Sequence, residues 1–402
     1  MKGLLQLAWR NLFRNRRRTL ASLVTVGLGA AGLLIYQGFN TGIMNQYREN
    51  TIHGYYGYGQ IFPNGYHGQV LAKPWEKWLA TPEETEKKLM SMKGIRNVFP
   101  RVSFYAFVVH GGITLGGKGE GIRADRENSF FTQMNFVEGH DLQSDDEVIL
   151  GKGLADSLGV KAGDTVTVLT QTVNTQLNGV DLKVAGVFHM GIKAIDDQFF
   201  RLPLSAAQSL LDTKKIESYS LDTVGVAAWP EIERQVKEQA PELEAISFDI
   251  LDKVYYKNSV DFLEAQFAFI RTIILLVVAL GIFNTIAVGL LERGGEIGAL
   301  RANGESRRRL FGILVLENSL LGLLGGIIGV VLAIVLNKTA LAAGIPMPPG
   351  PGITRHYLIF LEMQPAHEVQ AVLLPMAAAI LSSLWPIVKL LSRPIPDLLR
   401  ST

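Results

Sequence analysis

E-R-G-G-E-I-G-A-L-R-A-N-G-E-S-R-R-R, Glu292 to Arg309, is a short and densely charged stretch between two long apolar runs. Thr272 to Leu291 precedes it without a charge, and Leu310 to Leu336 follows with Glu317 as its single charge. A helix of about twenty residues is about 30 Å long, the thickness of a bilayer's hydrocarbon core. The spacing therefore predicts a tight polar turn between two membrane spans. Arg301, Arg307, Arg308 and Arg309 tip that turn basic. An excess of Lys and Arg in a short loop places it in the cytoplasm. On this reading the loop is where a cytoplasmic partner grips a membrane protein.

Composition agrees with a membrane chain. Of 402 residues 48% are hydrophobic, and the net charge of +2 argues against a nucleic-acid binder. The chain has no cysteine, which removes disulfides, thiol catalysis and Cys-based metal sites together.

Outward from the loop, the rest of the chain falls into segments. Residues 1–18 carry Arg10, Arg14, Arg16, Arg17 and Arg18 on an apolar helical pattern, which suits a helix lying in the cytoplasmic interface. Residues 19–39 form the first span. Its Gly27, Gly29 and Gly32 spell G-x-G-x-x-G, but no strand precedes them, so they read as close helix packing and not as a dinucleotide site. Residues 40–262 contain no membrane-length apolar run and lie wholly on the side opposite the N-terminus. Residues 40–52 extend the first span as a stalk.

Within this insert, 58–62 reads as a strand and Pro63-Asn64-Gly65 as a turn. Residues 82–92 read as a helix capped by Thr81, and 98–109 as a strand. From Glu138 to Val187 come short strands around one small helix that Gly159 ends, with a turn at 161–164. Leu204 to Leu211 is a second short helix. The segments 221–228, 230–239 and 243–248 then read β-α-β. One split α/β subdomain with a β-rich subdomain inserted into it accounts for this order.

A single helix from about 250 to 292 carries a stalk and the second span (263–291). The third span is 310–336, with Gly322-x-x-x-Gly326 and Gly325-x-x-x-Gly329 for close helix contact. Residues 337–367 form an external loop around Met347-Pro348-Pro349-Gly350-Pro351-Gly352. The fourth span, 368–391, contains Pro375 and Pro386 as kinks and Lys389 in snorkelling position, and the tail 392–402 is basic. Four spans put the N-terminus, the 292–309 loop and the tail on one side. The fold class is an α-helical membrane protein of four transmembrane helices, with a large α+β extracytoplasmic domain between the first and second. Glu317 reads as an interfacial carboxylate that reaches water or Arg308.

Catalytic constellations are not visible. Gly112 to Gly119 has phosphate-loop spacing but ends in glycine where Ser or Thr must hold magnesium, so it reads as a hairpin turn. His367-Glu368 lacks the second histidine of a zinc protease, and Asp145, Asp146 and Glu147 read as a solvated turn. No metal site and no cofactor is expected in the chain itself. Trp75, Trp78, Tyr55, Tyr56 and Tyr58 read equally as an apolar contact surface near the membrane or as ordinary core and interfacial anchors.

Several stretches resemble one family. E-R-G-G-E-I-G-A-L-R-A-N-G, E-N-S-L-L-G-L-L-G-G after it, E-V-I-L-G-K-G-L-A-D-S-L-G-V-K-A-G-D-T-V in the insert and R-P-I-P-D-L-L-R at the end are similar to FtsX-like/MacB-like ABC permeases. G-Q-I-F-P-N-G-Y looks most like the lipoprotein-release (Lol-type) members. The resemblance implies porter-like and Sabre-like subdomains in the periplasmic insert, and a multi-pass protein of the bacterial inner membrane with both termini cytoplasmic. It also implies that Glu292 to Gly304 contains a coupling helix docking on a separate ABC ATPase, two copies of which bind ATP and magnesium. Ile297 and Leu300 would insert into that ATPase. Arg293, Glu296 and Arg301 would pair with its surface, and Glu292 and Gly304 would bound the contact. Asn303 stands where the family usually has an aliphatic residue. The second permease would be the same chain or a paralogue. The expected role is mechanotransmission, with a lipoprotein or other amphiphile taken from the outer leaflet. Alternatives are an FtsX-like regulator of a cell-wall hydrolase and a MacB-like efflux permease. A receptor without an ATPase, or a membrane enzyme, leaves the charged loop unexplained.

Overall fold

The computed structural model describes residues 6, 9, 10, 12, 14, 16–69, 73–348 and 356–399. The expected interfacial helix at 1–18 lies largely outside these residues, as do positions 349–352 of the expected external loop. The chain divides into a helical unit, Met1–Asn45 with Asp261–Pro346 and Leu358–Thr402, and an insert unit, Gln46–Val260 with Met347–Tyr357.

Among the described residues, four helices are long and apolar enough to cross a membrane. The first, Arg16–Thr51, joins the expected span and stalk in one element and ends in a π turn, Ile52–Tyr56. The second is Asn258–Leu291. The single helix expected from about 250 is therefore corrected. Asp252 leaves helical geometry at φ −102 and ψ 48, and a π turn at Lys253–Lys257 follows before the span begins. The third helix, Arg307–Lys338, starts earlier than 310 because Ser306 caps it, accepting from the Arg309 amide. The fourth, Pro365–Ser392, starts with proline in its first turn and continues through Pro375 and Pro386.

Lipid tails are as apolar as leucine, so helices in a bilayer associate by close approach and not by burial from water. The glycines of the third helix show how. A Cβ on Gly325 would stand 2.6 Å from Val26 Cβ, and one on Gly329 would stand 2.5 Å from the Gly27 carbonyl oxygen. A Cβ on Gly322 would stand 2.7 Å from Met376 Cα, and one on Gly326 2.9 Å from Val372 Cα. The two overlapping G-x-x-x-G pairs thus face two neighbours: 325/329 the first helix, 322/326 the fourth. In the first helix a Cβ on Gly29 would stand 2.7 Å from Val278, whereas one on Gly32 would meet nothing within 4 Å, so Gly32 makes no close helix contact.

In the insert unit, β1 (Gly59–Pro63), β2 (Ile95–His110), β3 (Ile113–Ile122), β4 (Asn135–Gly139) and β5 (Glu147–Gly151) precede β6 (Thr165–Gln171). After them come β7 (Leu177–His189), β8 (Phe199–Pro203), β9 (Ser218–Thr223) and β10 (Leu243–Ser247). The order β10-β1-β9-β2, antiparallel throughout, carries helices Pro82–Met90 and Trp229–Gln239 on its crossovers. This is a ferredoxin-like β-α-β-β-α-β arrangement. The β-rich part is inserted between β2 and β9, as the segment order predicts.

β2 continues past Arg101 into that insertion and pairs with both β3 and β6. From β3 the pairing runs through β8, β5 and β7, and β6 joins β7 back to β2. Six strands close into a ring, with β4 attached outside on β7. Closure leaves those six strands without a free edge. Val102, Phe104, Ala106 and Val108 of β2 are buried, while Tyr105 and Phe107 between them are 79% and 57% exposed.

Several local expectations change. Gly112 to Gly119 is not a turn: only Gly111 and Gly112 turn, at φ +52 and +88, and β3 begins at Ile113. The glycines in β3 make room instead, since a Cβ on Gly119 would stand 2.6 Å from the Phe200 ring. The strand expected at 221–228 is β9, shifted towards the N-terminus, because Val226–Ala228 coils as a 3₁₀ turn. Phe248 opens a short helix and does not extend β10. Thr81 occupies the cap position of its helix, but its side chain makes no capping bond, and the helix ends at Met90. Gly159 does end its helix, in the left-handed region at φ 68.

Where β2 passes from the four-stranded sheet to the ring, four charges are buried together. Arg101 Nη1 lies 2.6 Å from Glu127 Oε2 and 3.7 Å from Glu120 Oε2, and Arg201 Nε donates to Glu120 Oε2 at 2.9 Å. Burial raises the Glu127 carboxyl above its usual range, against the pull of the two guanidiniums. The Arg201 guanidinium also lies 5.6 Å from the Tyr55 ring centroid and 5.4 Å from that of Phe199. Removing one partner of such a set leaves a charge buried and uncompensated. Arg201→Met is expected to lower unfolding stability by about 3–5 kcal/mol in denaturant titration of the purified chain. Arg201→Met with Glu120→Leu, which leaves Arg101 and Glu127 paired, should recover much of that loss. Equal losses in the single and double variants would show that the charges are not coupled.

Candidate functional site

The charged loop folds as a helix and not as the tight turn its length suggests. Gly294–Ala302 is a nine-residue helix between the second and third spans. Glu296 in its first turn and Arg301 in its last oppose the helix dipole favourably. Its C-terminus closes by a Schellman pair: Glu305 N–H donates to the Leu300 carbonyl at 3.1 Å, and Gly304 N–H to the Arg301 carbonyl at 3.1 Å. Gly304 has φ +91, a conformation that glycine adopts without a Cβ penalty. The chain then reaches Ser306 and the third helix.

This helix has two distinct faces. Gly294, Ile297 and Gly298 are buried, and Ile297 belongs to one apolar cluster with Leu290, Leu310 and Leu398. A Cβ on Gly298 would stand 2.9 Å from Leu398 Cβ, so the tail helix Ile395–Leu399 lies directly against it. Arg301 Nη1 donates to the Leu391 carbonyl at 3.2 Å and to the Arg393 carbonyl at 2.6 Å, at the end of the fourth helix. Glu292, Glu296, Leu300, Asn303 and Gly304 are exposed, Leu300 to 44%. Glu296 and Leu300 lie one turn apart on the exposed side of the helix, with Glu292 before its start and Asn303 at its end.

Arg293 anchors the start of the helix. Its Nη1 donates to Glu317 Oε1 at 2.6 Å and its Nε to Glu296 Oε2 at 3.2 Å. The Arg293 and Glu317 side chains are 11% and 6% exposed. Glu317 therefore pairs with Arg293, not with Arg308 as expected from proximity in sequence. Arg14 also pairs with Glu296. Against a partial burial that works the other way, Arg293 and Arg14 hold the Glu296 carboxyl below its usual range.

The geometry redistributes the roles that the resemblance implies. Ile297 is buried in this chain's own bundle, so its expected insertion into a partner is corrected. Leu300 stays on the surface. Arg293 and Arg301 are committed to Glu317 and to the carbonyls of Leu391 and Arg393, and so act within the chain. Glu292 and Glu296 are exposed charges of the expected set, and Glu296 is held by Arg293 and Arg14. Sequence reasoning missed the tail contact, for which Gly298 was the available sign, and the Schellman closure, for which Asn303-Gly304 was.

The description "MacB-like periplasmic core domain" matches residues 19–241, and "FtsX-like permease C-terminal" matches residues 268–395. The lipoprotein-releasing system transmembrane protein LolE of Haemophilus influenzae is 23% identical over 94% of this chain and 95% of its own. The lipoprotein-releasing system transmembrane protein LolC of Neisseria meningitidis is 24% identical over 79% of this chain and 77% of its own. Among solved structures, the extracellular domain of the transporter YknZ from Gram-positive bacteria covers 47% of this chain and 99% of its own. Its TM-score is 0.35 and its identity 14%.

The tail contact is directly testable because the chain has no native cysteine. Gly298→Cys with Leu398→Cys should form a disulfide on mild oxidation, since a shift of about 1 Å brings the two Cβ atoms to bonding separation. Mass spectrometry after digestion reads the linked peptide. Failure of the pair to link would mean that the tail helix does not cover Gly298.

Proposed function

The chain belongs to the family of FtsX-like and MacB-like ABC transporter permeases, and from that premise we propose that it is the membrane subunit of a mechanotransmission transporter. The loop helix faces the cytoplasm and receives a separate ABC ATPase, which holds ATP and magnesium. The exposed Arg307, Arg308 and Arg309 beside it support this orientation. The insert unit then faces the periplasm. Two ATPase copies engage two permeases, this chain with a second copy or a paralogue. ATP-driven closure travels along the first and second helices. The similarity to LolE and LolC, which are named as lipoprotein-releasing proteins, supports a lipoprotein or similar amphiphile as cargo.

One observation carries the reading. A short helix is pinned on its inner face by an ion pair, two carbonyls and a glycine contact, while its outer face keeps an exposed leucine one turn after the Glu296 carboxylate. A rigid mount with an exposed apolar residue at its centre is suited to transmit force to a docked partner.

Leu300→Asp is expected to reduce ATPase retention in a mild-detergent pull-down by about tenfold or more, with the melting temperature of the chain unchanged. Ile297→Ala should do the reverse first, lowering thermal stability by about 2–5 kcal/mol through the cavity it leaves. Full ATPase retention by Leu300→Asp would reject this docking face.

A further inference from the structure

Within the insert unit a cleft of about 1290 Å³ lies between the ferredoxin-like part and the strand ring. The start of helix Pro82–Met90 forms one wall. The turn after β3, the loop before β5 and the end of β8 form the other. Ile122, Leu142 and Ile216 line its floor and are buried, and Pro82, Pro100 and Pro203 continue the apolar surface. Five carboxylates line the cleft against two bases, Arg123 and Lys214. Glu83 and Glu84 stand exposed on the first wall, Asp125 and Asp145 on the second. Among the described residues none of these four is in an ion pair, and Asp145 accepts only from the Ser205 hydroxyl on its own wall.

One contact in the structure shows what these walls attract. Arg126, in the short helix Ala124–Glu127 of the second wall, pairs with Glu86 of the first. A cation rooted on one side thus reaches a carboxylate on the other. The fifth carboxylate, Glu86, is occupied in this way, and the other four are not.

The lining restricts the occupant. A surplus of carboxylates rejects phosphates, nucleotides and other anions. No aromatic side chain is among the lining residues, so a sugar or nucleobase finds no ring to stack on. Pockets for small molecules hold about 300–1,000 Å³, and this cleft is larger. Lys and Arg carry an apolar stem below a charged head, which matches an aliphatic floor beneath a carboxylate rim. We propose that the cleft binds an extended peptide segment rich in Lys or Arg, supplied by a partner protein, with the stems on the floor and the heads at the rim.

Occupancy has a mechanical consequence. In the empty cleft the carboxylates of the two walls repel one another, and a cation held between them is attracted to both. A bound segment therefore ties the ferredoxin-like part to the ring. The cleft needs neither ATPase nor loop helix, so its test stands apart from that of the docking face.

The test uses the full chain in a neutral detergent and a fluorescein-labelled decapeptide of alternating Ala and Lys, read by fluorescence anisotropy. The peptide should saturate one site and bind about tenfold or more tightly than its Ala-Gln counterpart, with the difference shrinking as salt is added. Glu83→Gln with Glu84→Gln, and separately Asp125→Asn with Asp145→Asn, should each weaken the Lys peptide about fivefold or more. All four side chains are exposed, so these variants fold. Glu138→Gln with Glu233→Gln removes the same charge from exposed positions outside the cleft and should leave binding unchanged. Equal binding of the Lys and Gln peptides, equal losses in the cleft and control variants, or no effect of either cleft pair would each overturn the site. Spermine displacing the peptide with the peptide's own affinity would overturn the peptide assignment in favour of a small polycation.

Discussion

A carboxylate within a membrane-length helix needs a partner, and Glu317 has Arg293. That contact decides how the loop helix is mounted. A nine-residue helix is too short to be stable alone, so its position must come from tertiary contacts. Of its possible rotations, the observed one brings Arg293 to Glu317 and Arg301 to the Leu391 and Arg393 carbonyls. The same rotation turns Gly298 to the tail helix and Leu300 to the surface. A buried ion pair is often no more stabilising than apolar residues of the same volume, but it rejects arrangements that leave either charge unpaired. Here it selects the face offered outward.

The spans obey a related constraint. Close approach requires small residues at the points of contact, and the third helix has them in two staggered pairs facing two neighbours. A Cβ at Gly325 or Gly329 would push the first helix away, and one at Gly322 or Gly326 the fourth. The third helix is thus held from both sides, and the loop helix pinned to its start through Glu317 inherits that rigidity. By contrast the second helix leaves Leu276, Val277 and Leu280 60–66% exposed, as suits a helix with a side turned to lipid.

Much of this was legible in the sequence because the bilayer imposes a length. Apolar runs of span length and a charged break between them located the four helices, and the glycine spacing located two helix contacts. Segment order located the split sheet and its β-rich insertion. Chemistry between distant residues was less legible. Arg293 and Glu317 are 24 positions apart, and sequence offered Arg308 as the nearer base. Gly112 to Gly119 reads as a turn from its glycine-rich, phosphate-loop-like spacing, yet Gly119, and Gly121 beyond it, are there to admit Phe200 and Ala207. The helix break at Asp252 carries no proline or glycine to announce it. In the charged loop, the resemblance places a helix within Glu292 to Gly304, and one forms at Gly294–Ala302, but its inward and outward faces depend on a tail helix that local periodicity does not contain.

The two units solve a common problem in the same way. Arg101 and Glu120 are buried where β2 leaves one sheet for another, and Arg293 and Glu317 where a loop helix meets a span. Both places are junctions between elements, where apolar packing alone tolerates sliding because dispersion is nearly non-directional. A guanidinium–carboxylate contact is directional, and a small displacement leaves charge exposed to a low-dielectric surround. Placing such contacts at junctions and apolar side chains elsewhere makes the elements rigid with respect to one another within each unit. For the proposed role of passing movement along, stiffness at the joints matters more than additional stability in the core.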